Sequence, residues 1–433
     1  MLRKQCSFSV CKPAIALLTL LLVAVAGFQP AQAQTYTVLH DFTASPDGAD
    51  PNPIIRDAQG NLYGTTQYGG LASCGLGSCG TVFKIDNTGN YTQLFAFDGG
   101  GDGTNPVAGL VRDTAGNLYG TTEGNGFIDG DSVVFKIDPS GHETVLYVAD
   151  GVPDACCLNS PLALDAQGNL YGMSPYAGES NCNLVREELG CGTLFKLTPT
   201  GEFTLLHRFT GTDGIQPQGG VVLDGKGNLY GAAEYGGELS CNYPGWGQPF
   251  GKGCGTIYKL DSAGNFSLLH TFTGPVDGSD PLGLIIDSAG NLYGITSGGG
   301  DIVGEYIYGM GTVFKIDASG NFSVLFTFTP ATTLNNVYAN RLLRGSNGNL
   351  YGLQQFNNCA NHGGCLFRID TKGNYTDLYD FEYQGEGTDG STPQGVVFGL
   401  HDDVYGSMYI GGASNGGGDC TNGCGTVFHL SAH

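Results

Sequence analysis

Gly60-Asn61-Leu62-Tyr63-Gly64-Thr65-Thr66, followed after a loop by Gly80-Thr81-Val82-Phe83-Lys84-Ile85-Asp86, decides the fold, because the chain keeps returning to this pair of phrases. The pentad Gly-Asn-Leu-Tyr-Gly starts again at Gly116, Gly168, Gly227, Gly290 and Gly348, with a decayed copy at Asp402-Asp403-Val404-Tyr405-Gly406. Its tyrosines (Tyr63, Tyr119, Tyr171, Tyr230, Tyr293, Tyr351, Tyr405) recur at intervals of roughly 50–60 residues, the signature of a propeller, a solenoid or an array. The second phrase recurs around Phe135, Phe195, Tyr258, Phe314, Phe367 and Phe428, and a third, of the kind Thr92-Gln93-Leu94-Phe95-Ala96-Phe97, follows it.

Each unit reads as four short strands. In the second they are Gly109–Arg112 (a), Asn117–Gly120 (b), Val133–Ile137 (c) and Thr144–Val148 (d). Asp113-Thr114-Ala115-Gly116 joins a to b, and Asp138-Pro139-Ser140-Gly141 joins c to d. In such turns Asp bonds back to the following backbone and Gly takes positive φ. Strand c carries apolar residues on both faces (Val82, Phe83, Ile85), as a sheet sandwiched between neighbours requires. The ends choose between a ring and an open stack. The chain begins with a lone strand d, residues 36–42, and finishes with a lone strand c, Thr426–Leu430, so seven complete units exist only if the first strand completes the last blade. Closure of that kind removes free sheet edges. The expected fold is all-β, a seven-bladed β-propeller of four-stranded blades whose N-terminal strand closes the last blade.

Arg3, Lys4 and Lys12 ahead of the apolar run Ala14–Ala26, with Ala31-Gln32-Ala33 beyond it, read as a cleaved signal peptide over residues 1–33. Residues 34–433 then form one propeller domain, secreted to the periplasm or exterior, without a membrane span and expected to be a monomer. The formal charge is -22 and becomes more negative once those three basic residues are gone. Such an acidic surface repels phosphate backbones, so nucleic acid is not expected as a partner. Gly supplies 74 of the 433 residues, a composition suited to many tight turns.

The sequence GNLYGTT…GTVFKID…LFxFxGxDGxxPxxGL resembles the GloVer tandem-repeat family of extracellular bacterial proteins over nearly all of residues 36 to 430. The resemblance implies an exported, propeller-like repeat protein and supplies no catalytic residues.

The b–c and d–a connections are long and variable and should emerge on one face, where function usually sits. Cysteines fall there in local pairs: Cys74 with Cys79, Cys182 with Cys191, Cys241 with Cys254, Cys359 with Cys365, Cys420 with Cys424, and the adjacent Cys156 and Cys157. In an exported chain these read as disulfides. Zinc is the rival, but its knuckles come together in fours, whereas these pairs sit on separate blades. His40, His207 and His270 occupy a strand-d position that holds Phe95, Tyr147, Phe326 and Tyr379 elsewhere, which makes it a packing site. His362 and His401 read as loop and turn residues. Asp-Gly-x-x-Pro recurs at Asp47, Asp102, Asp213, Asp277 and Asp389. A ring of these carboxylates could hold calcium, but the simpler reading is a turn whose Pro starts strand a.

Departures from the repeat point to a ligand site. The b–c loop of the third unit holds Arg186, Glu187 and Glu188, and that of the fourth holds Tyr243, Phe250 and the single tryptophan, Trp246. Gln67, Glu123, Glu234 and Gln355 line the same face just after the pentad. Exposed aromatics beside charged groups suit sugar rings. The chain therefore reads as a binding or interaction module for extracellular carbohydrate or protein rather than an enzyme. The alternative is a propeller-fold polysaccharide lyase or hydrolase using Glu187, Glu188, Glu123 or Glu234, an analogy from fold alone.

Overall fold

The computed structural model describes residues 35–71, 79–124, 132–149, 151, 155–178, 189–241, 253–300, 309–329, 342–355, 362–382, 390–400, 403–412, 420 and 423–431. Seven antiparallel sheets follow one another around a ring. Strands a to d of blade 4 are Ile215–Leu223, Leu229–Tyr235, Thr256–Leu260 and Phe266–Thr271, and the other blades repeat that order. Two blades depart from it. In blade 1, strand a is broken into Ala49–Pro51 and Ile55–Arg56, both paired with strand b, Leu62–Tyr68. Blade 7 (Ser391–Phe398, Val404–Ile410, Thr426–Leu430) takes its outer strand from the other end of the chain, Tyr36–Asp41.

The pentad recurs because its members hold one another. Asp57 Oδ1 accepts the backbone N–H groups of Gln59 and Asn61, and its Oδ2 accepts Asn61 Nδ2 at 2.8 Å and the Tyr63 hydroxyl at 3.1 Å. Asp113, Asp165, Asp224 and Asp287 accept from their own Asn and Tyr in the same way. The second glycine is a space requirement: a Cβ on Gly64 would lie 2.6 Å from the Phe83 ring, which crosses it from strand c. In the decayed seventh copy, Asp403 instead meets His429 Nε2 at 3.4 Å.

Blades are joined by aromatic rings. In every blade but the second, whose strand d ends on Ala149, a Phe at the end of strand d sits edge-on against the strand-c aromatic of the next blade: Phe97 on Phe135, Phe209 on Tyr258, Phe272 on Phe314, Phe328 on Phe367 and Phe381 on Phe428. Phe42, from the N-terminal strand, meets Phe83 at 5.2 Å in the same geometry and is 1% exposed. Its N–H donates to Gly425 O at 3.1 Å, as Phe272 N–H does to Gly255 O at 3.0 Å. The closing strand thus makes the contacts of an interior one, with Tyr36 opposite Leu430 and Asp41 opposite Thr426. Among the described residues no helix is long and apolar enough to cross a membrane.

Candidate functional site

In six of the seven blades the described d–a connection turns sharply into strand a beside the central channel, and the residue that turns it has left-handed backbone: Asp50 (φ 57°), Asn105 (54°), Cys157 (53°), Gln216 (53°), Asp280 (57°) and Thr392 (61°). Pro follows five of the six and packs on the neighbouring blade; a Cβ on Gly425 would strike the Pro51 ring. The turning residue is also fixed by a backbone bond to the preceding blade. Asp50, Asn105, Gln216 and Asp280 donate to the carbonyls of Cys424, Cys79, Cys191 and Cys254 at 2.8–3.1 Å.

Opposite each turning residue lies one position of strand b. Ile215 pairs with Tyr235 and Pro217 with Ala233, so Gln216 faces Glu234. By the same register Asp50 faces Gln67, Asp280 faces Ser297 and Thr392 faces Tyr409. Strand b of one blade lies against strand a of the next. Around the channel mouth the order is therefore Asp50, Gln67, Asn105, Glu123, Cys157, Tyr176, Gln216, Glu234, Asp280, Ser297, then Gln355, Thr392 and Tyr409 back to Asp50. Hydrogen bonds run round this circle: Tyr409 with Asp50, Gln355 Nε2 to Pro393 O at 2.9 Å, Ser297 Oγ to Asp280 O at 3.3 Å, Gln218 to Glu234, Tyr235 with Glu234 and Gln216 with Tyr176. Beneath it the channel holds a cavity of about 280 Å³ with apolar walls that include Pro53, Ile54, Val107, Leu282 and Val396. Gln218 reaches both that wall and Glu234.

Four carboxyls stand in this circle, and no described position in it is Lys or Arg. Burial disfavours their charged forms. It raises Glu123, and it raises Glu234 against the hydrogen bonds from Tyr235 and Gln218. It lifts Asp50 to about 6 despite the Tyr409 hydroxyl. Asp280 rises to about 8, first through burial and then through the negative charge of Glu234. Tyr68, Tyr176, Tyr235 and Tyr409 are raised as well, by burial and then by these acids. Polar capacity is also left unused among the described residues: there, Gln216 Oε1 (Gln216 is 5% exposed), Asn105 Oδ1 and Thr392 Oγ1 find no hydrogen-bond partner. Among the described residues no three His, Cys, Asp or Glu side chains are placed to hold a metal ion.

Glu123 and Glu234 thus lie in the mouth. Arg186, Glu187, Glu188, Tyr243, Trp246 and Phe250 lie outside the described residues. Asp50, Asp280 and the four tyrosines escaped sequence reasoning. For the two aspartates the signal was the turning residue, which varies from blade to blade while the Pro after it recurs in five of the six. The Asp-Gly-x-x-Pro carboxylates that could have held calcium are engaged locally. Asp47 accepts from Thr43 and from His40 Nε2 at 3.0 Å, Asp213 from Thr210 and His207, and Asp277 from Thr273 and His270. The three histidines also stack on the next blade's Tyr91, Phe266 and Phe322, with centroids 3.7–4.0 Å apart, so the position is a packing site with a polar tether. Asp102 accepts from Asp98 N, and Asp389 and His401 lie outside the described residues.

Cys241–Cys254 and Cys420–Cys424 are disulfides, and Cys79, Cys191 and Cys365 are also disulfide-bonded; Cys74, Cys182 and Cys359 lie outside the described residues. The bridge expected between Cys156 and Cys157 is not formed. Left-handed φ at Cys157 carries it into the mouth beside Glu123, while Cys156 stays against Ser174, and the two side chains hydrogen-bond as thiols.

Seven four-stranded blades closed through the N-terminal strand around an acidic channel mouth define the protein as a seven-bladed β-propeller. The chain belongs to the Gloeobacter/Verrucomicrobia repeat family, whose model matches residues 25–186 and 159–303. No curated protein matches the sequence. Among solved structures, a catalytically inactive virginiamycin B lyase from Staphylococcus aureus with quinupristin is 13% identical with a TM-score of 0.55, covering 92% of this chain and 100% of that one. The extracellular domain of a putative one-component system, BT4673 of B. thetaiotaomicron, is 11% identical with a TM-score of 0.52, covering 91% of this chain and 40% of that one. PorZ, a surface component of the type-IX secretion system of Porphyromonas gingivalis, is 14% identical with a TM-score of 0.51, covering 91% of this chain and 48% of that one. At these identities the likeness is one of fold.

Proposed function

We propose that this protein is an exported binding module that takes a carbohydrate at the mouth of its central channel. The observation that carries the reading is the circle itself. Carboxyls, amides and tyrosine hydroxyls converge there from successive blades, and buried oxygens such as Gln216 Oε1 have no partner among the described residues. Sugars present hydroxyls that donate to such acceptors and apolar ring faces that rest on tyrosines. Arg186, Glu187, Glu188, Tyr243 and Trp246, which follow the mouth residues Tyr176 and Tyr235 in sequence, are the residues we assign to selectivity. Disulfides and membership of a repeat family of extracellular type support export. A glycan array probed with the mature protein tests this. Glycans bound by the parent should be lost with Glu234→Ala plus Tyr235→Ala and weakened with Tyr243→Ala plus Trp246→Ala. Binding that survives the first pair would place the ligand elsewhere.

A second reading, a polysaccharide lyase or hydrolase, is favoured by one pair. Glu234 and Asp280 lie on adjoining strands, and each makes the other's ionisation harder, so one can keep its proton while the other is a base. New reducing ends or unsaturated products from a bound glycan, abolished by Asp280→Asn, would establish it.

A further inference from the structure

We propose that the mouth selects a sugar bearing a protonated amine, held between the carboxyl groups of Glu234 and Asp280 with Gln216 Oε1 as a third acceptor. The proposal rests on the carbohydrate reading and adds to it the charge of the ligand.

Three observations lead to it. Register sets Gln216 directly across from Glu234 on blade 4, and strand b of that blade lies against strand a of blade 5, which carries Asp280. The three side chains therefore converge from two neighbouring blades. The amide of Gln216 is engaged by the Tyr176 hydroxyl, but its buried carbonyl oxygen has no partner among the described residues. An unpaired buried acceptor lacks a donor. A protonated amine brings three donors and the charge that the circle has nowhere else among its described positions. Neither Glu234 nor Asp280 makes an ion pair among the described residues.

Other ligand chemistries fit less well. A metal ion wants several hard oxygens at close range, and no such group of side chains is present among the described residues. An acidic sugar would add a negative charge to four carboxyls. A neutral sugar could satisfy Gln216 but would bring no cation to favour ionisation of the two buried acids.

The test compares a glucosamine tetramer, its fully N-acetylated counterpart and hexylamine by isothermal titration at neutral pH. The amine-bearing tetramer should bind at least tenfold more tightly than the acetylated one. The isosteric double variant Glu234→Gln, Asp280→Asn should erase that preference while its circular dichroism matches the parent. Equal binding of the two tetramers, or a preference retained by the variant, overturns the amine inference and leaves the carbohydrate reading standing. Binding of hexylamine alone, lost in the variant, upholds the cation site and overturns the carbohydrate reading. No binding by any probe overturns both.

Discussion

Replacing Phe42 by Ala should cost as much as replacing Phe272, although one lies at the start of the folded chain and the other deep within it. Phe42 is 1% exposed and Phe272 0% exposed. Phe42 meets His40, Phe83 and Tyr91 edge-on at 4.7, 5.2 and 6.1 Å, and Phe272 meets His270, Phe314 and Phe322 at 4.7, 5.3 and 5.8 Å. Truncating a fully buried Phe costs about 3–5 kcal/mol. The lost edge contacts place both variants toward the upper end of that range. For a ring of this size unfolding cooperatively, about 4 kcal/mol corresponds to a drop in Tm of roughly 5 °C. Urea and thermal melts followed by far-ultraviolet circular dichroism would compare the two variants under one set of conditions. In an open stack the first strand would lie on a free edge, and Phe42→Ala would cost little. A Phe42 penalty below half that of Phe272 would refute ring closure through the N-terminal strand.

Asp280→Asn should stabilise the protein increasingly as pH rises. The folded carboxyl sits near 8 against an ordinary 3.8, so its contribution is intact below the lower value and is lost as pH climbs through the higher one. The variant should match the parent near pH 4 and exceed it by a few kcal/mol above pH 8; urea titrations across that interval that run parallel would contradict the burial of this acid. Gly64→Ala should destabilise by about 1–3 kcal/mol through overpacking against Phe83, with part of the loss recovered by Phe83→Leu in the same background. Additive penalties would show that the ring and the glycine do not share that space.

The fold was legible because the repeated residues bind one another. Asp57, Asn61 and Tyr63 form one hydrogen-bonded turn, and Gly64 exists to admit Phe83, so the motif is a record of contacts. Strand a was read less well. In blade 2 it shrinks from the expected Gly109–Arg112 to Val111–Arg112. In the site, Glu123 and Glu234 stood out by breaking the repeat. Asp50 and Asp280 did not, because an Asp before a Pro looks like one more turn residue; only the register reveals that each turn aims its side chain inward. The Cys156–Cys157 reading failed for a related reason. Spacing treats neighbours in sequence as partners, whereas the left-handed turn at Cys157 assigns it to the channel and its predecessor to the blade.

The backbone of Thr35 hydrogen-bonds to Ser431 across 396 residues of sequence. The ribosome delivers the closing strand first and its partner last. Throughout synthesis residues 36–41 are a β-edge awaiting a mate, and the growing blades form an arc with a sticky margin at each end. Locally paired blades can form early, but the circle joins only after the final strand appears, a long-range step of the kind that sets slow folding. A chain cut short anywhere before Thr426 keeps both margins exposed, and the nearest complement to either is another unfinished copy. Quality control of this protein is thus a matter of arithmetic: with its last strand it is sealed, and without it each molecule is a template for joining the next.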